Sequence, residues 1–231
     1  MSPQEKSGIF VNAGPLFGRA TAAYERAKRT ATSDREPGQM DALEAIVFSV
    51  VALEAFINEA AELATLPGPS NPARVTSFAR LIEEVERSHG SLHLRFMLAH
   101  YAFAGETYEP DRLPFQDFVL LVDLRNALIH YSSRDRSRES FTLNEEGVPA
   151  FTPAKIVERL RARNIAAEVD PPVPESWLQA VATVAVARWS CTCAATMVGS
   201  ILDVLPESLF KMRMEFFYRM LFRVPGKDQR N

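Results

Sequence analysis

The sequence predicts an all-α protein, a helical bundle with one small β-hairpin inserted, and three observations predict it. Apolar residues recur at three- and four-residue intervals through most of the chain, the spacing that lines one face of an α-helix. Only one segment alternates residue by residue as a strand does. The chain has no internal repeat, no glycine-rich phosphate loop and only ten glycines in 231 residues. With 47% hydrophobic residues, it is long and apolar enough to bury a core as one domain spanning 1–231.

The elements follow in order. A first helix is expected around Gly14 to Thr32, closed by the turn "SDREPGQ", and a long one from about Met40 to Ala64. "TLPGPSNP" stops the second with three prolines. A helix over Ala73 to Arg87 precedes a break at Gly90, and "SLHLRFMLAHYAFA" continues as a short helix. Pro114 stands near the first turn of the next, Leu113 to about Ser132. In "ESFTLNEEGVPAF", Phe141 and Leu143 alternate with polar residues and "NEEG" supplies the turn of the hairpin. "TPAKIVERLRARNI" is amphipathic, with Thr152 as cap and Pro153 in its first turn. Pro171, Pro172 and Pro174 then precede a long apolar helix, Glu175 to Leu205, and "ESLFKMRMEFFYRMLF" forms the last.

Composition narrows the function classes. A formal net charge of −3 excludes a protein that coats nucleic acid through a general basic field, so any such contact is local. Cys191 and Cys193 sit two apart on a helix and point to different sides, which suits neither a disulfide nor a zinc site and implies a reducing, cytoplasmic setting. The N-terminal stretch "MSPQEKSGIFVNAGPLF" lacks the features of a secretory signal. The run Val181 to Leu202 is apolar, but Arg188 interrupts it, so it reads as a core helix and no membrane span is expected. No histidine or cysteine pair has the spacing of a metal site, and no cofactor is expected.

The residues that ask for a chemical explanation lie in "LLVDLRNALIHYSS", Leu120 to Ser133. Asp123, Asn126 and His130 are three and four apart, a narrow polar stripe on an otherwise apolar helix. Arg125 is about 140° away from His130 on an ideal helix. One straight helix cannot easily aim both at one atom, so either the arginine reaches round or two copies of the helix complete each other. Buried polar groups of this kind are costly unless paired or used.

The run R-N-A-L-I-H resembles the signature of HEPN domains, an all-α family many of whose members are ribonucleases. In that family an arginine, usually followed by a polar residue, precedes a histidine by four to six intervening positions. Two other stretches match loosely. Arg87 to His93 spans the break at Gly90, and Arg95 is followed by Phe96 rather than by a polar residue before His100. Arg125 alone is followed by an amide, Asn126, inside a continuous helix. The segment Ser49 to Leu63 further resembles the early long helix that the family sets against its motif helix, and Glu54 and Asn58 give it a polar stripe. The resemblance covers a core of about Met40 to Leu205 and leaves the hairpin and the terminal helices unexplained.

That resemblance implies a homodimeric, metal-independent endoribonuclease, a toxin or phage-defence effector, often beside a nucleotidyltransferase-type antitoxin. RNA brings its own nucleophile, the 2′-hydroxyl, so the protein need only move its proton and stabilise charge on the phosphate. His130 is the expected acid and base and Arg125 the phosphate clamp. Asn126 and Tyr131 would support them, and Arg134, Arg136 and Arg138 would form a phosphate-attracting rim. Structural roles are open to the same residues: a helix-terminal histidine often caps or packs, Glu54 and Asn58 suit hydrogen bonding within the bundle, and "SRDRSRES" also reads as a solvated loop. Arg213, Arg219 and Arg223, set among Met, Phe and Tyr, suit packing or a dimer contact. Two other readings remain open: a non-catalytic HEPN-like dimer that binds a nucleotide or a protein, and a structural dimer whose polar stripe is an interface network.

Overall fold

The computed structural model describes residues 11–66, 72–130, 153–168 and 176–224. All regular elements among them are helical: α1 (Ala13–Thr30), α2 (Met40–Thr65), α3 (Ala73–Arg87), α4 (Leu92–Ala104), α5 (Phe115–His130), α6 (Pro153–Ala162), α7 (Ser176–Val181), α8 (Val184–Asp203) and α9 (Leu209–Met214), the last running into a π-helical turn (Glu215–Arg219). The expected hairpin, the Thr152 cap and the prolines at 171, 172 and 174 lie outside the described residues.

Helix α2 is the axis of the bundle. Its sequence is apolar on nearly every side, and Ile46, Val50, Leu53, Phe56 and Ile57 are wholly buried. Along the α1–α2 seam the contact residues are small: Ala13, Ala20, Ala23 and Ala27 of α1 and Ala42 and Ala45 of α2 are inaccessible to solvent. Side chains this short let two helices lie close. Helix α8 completes the triad against α1 and α2, while α3 and α4 form a hairpin on another flank of α2. An aromatic chain then joins three helices, with ring centroids of Phe56 and Phe96 6.3 Å apart and of Phe96 and Phe118 4.8 Å apart.

A buried carboxylate fixes where α1 begins. Glu59 Oε1 accepts hydrogen bonds from the Asn12 and Ala13 amides at 2.6 and 3.0 Å, and Oε2 accepts from the Tyr218 hydroxyl at 2.8 Å. A negative charge at a helix N-terminus satisfies amides that have no partner within the helix and interacts well with its dipole. One side chain thus ties α1, α2 and the π-helical turn together. Burial and the neighbouring Glu59 push the Tyr218 hydroxyl well above its ordinary pKa.

A second junction holds α5. Asp117, in its first turn, accepts from Arg163 Nη2 at 2.8 Å and from Trp189 Nε1 at 3.0 Å, so the turn after α6 and the first half of α8 both bind the same carboxylate. The Arg87 to His93 stretch is broken as expected. His89 takes a φ of 56°, and the Gly90 amide closes α3 by donating to Val85 O at 2.7 Å. A Cβ on Gly90 would sit 2.4 Å from Val85 Cγ1 and 3.1 Å from the Val85 carbonyl oxygen, which accounts for glycine there.

Two expectations need correction. The helix expected over Glu175 to Leu205 is two helices, α7 and α8, separated at Ala182 and Thr183. Carbonyls at the end of α7 are taken by other segments: Gly38, Ala167 and Gln39 amides donate to Gln179, Ala180 and Ala182 oxygens at 3.3, 2.8 and 2.8 Å. Thr183 then caps α8, its Oγ1 accepting from the Val186 amide at 3.1 Å while donating to Ile165 O at 3.0 Å. The last helix is also not a regular α-helix throughout, since Glu215–Arg219 widens into a π turn, the kind of local expansion that re-aims side chains. There Arg219 pairs with Asp203 and Glu215, and Met212, Phe216 and Met220 are exposed.

Helix α8 is the one described helix long and apolar enough to cross a membrane, and 61% of that stretch is buried inside the protein. Cys191 and Cys193 are both free and buried, and desolvation raises both thiols, that of Cys191 to about 12.

Candidate functional site

The two polar residues of α2 that stand a turn apart each hold an arginine from a different helix. Arg125 of α5 reaches Glu54, with Nη2 3.7 Å from Oε2, close enough for an ion pair and too long for a hydrogen bond. Its side chain is only 17% exposed against 44% for Glu54, and its Nε is buried without an acceptor among the described residues. Arg95 of α4 reaches Asn58, donating from Nη1 to Oδ1 at 2.9 Å. Arg95 is 9% exposed, forms no ion pair among the described residues, and its Nε also lacks an acceptor.

The polar stripe of α5 divides between two environments. Asp123 turns toward α6. It is half-buried, its Oδ2 lacks a hydrogen-bond partner, and desolvation raises its carboxyl pKa against a smaller opposing effect of Arg159. Asn126 and His130 are exposed, and Ile129 between them is 51% exposed. Among the described residues, no hydrogen bond or ion pair joins His130 to Arg125 or to Glu54. Tyr131, Arg134, Arg136 and Arg138 lie outside the described residues.

The other histidines are held elsewhere. His93 meets Phe118 edge-on at 5.4 Å between ring centroids, and burial lowers its pKa, favouring the neutral ring. His100 Nδ1 lies 2.7 Å from the Glu106 carbonyl oxygen, and its ring sits 4.1 Å from that of Tyr108. Among the described residues no group of three or more His, Cys, Asp or Glu side chains is placed to hold a metal ion.

A surface cleft of about 640 Å³ runs between α1 and α2 and is lined by Leu16, Arg19, Ala55, Asn58 and Glu62 among others. It shares Asn58 with the arginine stripe but includes none of Glu54, Arg125 and His130, so it does not mark the motif.

Arg95 opens the looser of the motif-like stretches, the one followed by Phe96. Its neighbours in the pattern, Leu92, Phe96, Ala99 and Phe103, are the buried face of α4, and Arg95 falls on that same face. An arginine at a core position of an apolar helix was the readable signal. What it reaches was not readable, because Asn58 lies 37 positions away. Comparison with protein-family models, with curated proteins and with solved structures finds no match.

Proposed function

We propose that this chain is a HEPN-type endoribonuclease, a cytoplasmic toxin or defence effector that works as a homodimer. The observation that carries the reading is the state of Arg125. It is largely buried on the motif helix, drawn to a carboxylate of α2 at 3.7 Å, and its Nε is left without an acceptor. A cation set this way is oriented before substrate arrives and still has donors to offer a phosphate.

In the proposed reaction the 2′-hydroxyl attacks the adjacent phosphorus and the P–O5′ bond breaks. His130 takes the proton from the 2′-oxygen, the leaving 5′-oxygen gains one, and Arg125 neutralises charge on the nonbridging oxygens. Asn126 orients the substrate from the exposed side of the same helix. Exposure of His130 fits contact with a polymer. The two key residues diverge within one chain, and a second copy with its α5 against the first would set His130 of one protomer beside Arg125 of its partner. Exposed Ile129 provides apolar surface for that contact.

The lack of a hydrogen bond or ion pair between Arg125 and His130 among the described residues favours a second reading, a non-catalytic dimer that binds a nucleotide or protein through this face. Incubation of the purified protein with total RNA in EDTA separates the two. Cleavage leaving 2′,3′-cyclic phosphate and 5′-hydroxyl ends is expected. Intact RNA, or activity that requires magnesium and leaves 5′-phosphates, would reject the ribonuclease mechanism.

A further inference from the structure

Arg95 poses a problem that the proposed reaction does not use. Arg95 as a whole is 9% exposed and its Nε is buried, and the usual compensation for a charge so placed is a carboxylate. Here the partner is the neutral amide of Asn58, and Nε has no acceptor. The nearby buried acid Glu59 is committed to two amides and a hydroxyl. Arg95 therefore keeps a full positive charge that no described side chain offsets through an ion pair. Its anchor lies four residues from Glu54 on the same stripe of α2, so the two arginine heads are drawn to points about 6 Å apart along the helix axis. Neighbouring phosphates on one strand follow each other by about 3.4 Å along a duplex axis and lie farther apart through space, so the span suits two successive phosphates of a single strand.

We propose that Arg95 and Arg125, gathered by Asn58 and Glu54, form a paired-cation site for two successive phosphates, with Arg95 binding the phosphate next to the one that Arg125 holds. The site rests on the ribonuclease reading for the identity of its strand, and its chemistry is phosphate recognition by two guanidiniums. Arg95 is thus a binding residue of the substrate strand and takes no part in proton transfer. Asn58 positions it, and its neutrality is the essential property: an aspartate there would satisfy the guanidinium internally and leave less charge for phosphate.

The test is fluorescence-anisotropy titration of the full-length protein with a labelled single-stranded oligonucleotide carrying 2′-methoxy groups, which binds without being cut, at several salt concentrations. Arg95→Gln, which keeps a donor for Asn58, should weaken binding about tenfold and reduce the salt-dependence slope by about one phosphate contact. Asn58→Asp should weaken binding to a similar degree while Arg95 remains, which covers the case in which Arg95→Gln does not fold. Unchanged affinity in either folded variant, a loss with no change in slope for Arg95→Gln, or a wild-type protein that binds no oligonucleotide would overturn the site. The two proposals fail separately. Oligonucleotide binding that depends on Arg95, without cleavage of total RNA, removes the ribonuclease and keeps the phosphate site; cleavage with wild-type affinity in Arg95→Gln does the reverse.

Discussion

Glu59 and Glu54 are the same residue type on one helix, yet the structure uses them in opposite ways. Glu59 is buried, and both its oxygens are filled by donors from α1 and the π turn. Glu54 is 44% exposed and meets its arginine at 3.7 Å, leaving that arginine's Nε without an acceptor. A saturated polar node rigidifies the fold, whereas an unsaturated one stores binding capacity at some cost in stability. On α2 the node at Glu59 is therefore closed, while the arginines that meet Glu54 and Asn58 keep donors unfilled.

That contrast can be broken by substitution, beginning with activity. His130→Ala and Arg125→Ala should each lower RNA cleavage by about a thousandfold, with little change in melting temperature. His93→Ala and His100→Ala should stay active. Gel assays on a defined RNA decide this, and loss in the last two with retention in the first would move the site to α4.

Stability should respond in the opposite order. Glu59→Ala strips three donors of their acceptor and should cost about 3 kcal/mol, whereas Glu54→Ala, which removes one long ion pair whose carboxylate is 44% exposed, should cost less, about 1 kcal/mol. Urea denaturation measures both, and equal losses would erase the distinction between the two nodes. Asp117→Ala should fall between them at about 2 kcal/mol, because Arg163 and Trp189 both lose their acceptor.

The smallest effect concerns pH. The pKa of Asp123 is raised by burial, so its protonated form is the one the fold favours. Its contribution is fully present below the ordinary carboxylate value of 3.8 and is lost as pH rises through the elevated folded value. Asp123→Asn should therefore gain stability relative to wild type between pH 4 and pH 7. No change in that difference across the interval would mean that Asp123 is better solvated than its surroundings indicate.

Much of the architecture was legible in the sequence because helical patterning is local. The boundaries of α2 and α3 followed from "EPGQ", "TLPGPSNP" and Gly90, where proline or a tight backbone approach stops a helix whatever else is nearby. The polar residues were legible as a set. Glu54, Asn58, Asp123, Arg125, Asn126 and His130 all stood out against apolar helices, and spacing alone showed that Arg125 and His130 diverge. Their partners were not legible, since a long side chain chooses among neighbours that the fold brings from distant segments.

The helical character of this protein and the ends of most of its helices could be read from local pattern, because they depend on periodicity and on chain-breaking residues within a turn or two. The split of the apolar run after residue 175 at Ala182 and Thr183 depends on packing, because amides from Gly38, Gln39 and Ala167 take carbonyls in that region. Packing likewise saturates Glu59 and brings to Asn58 a cation that has no carboxylate partner among the described residues. Hydrogen-bond satisfaction is settled by which groups meet after the helices pack, and the local sequence specifies the groups but not the meeting.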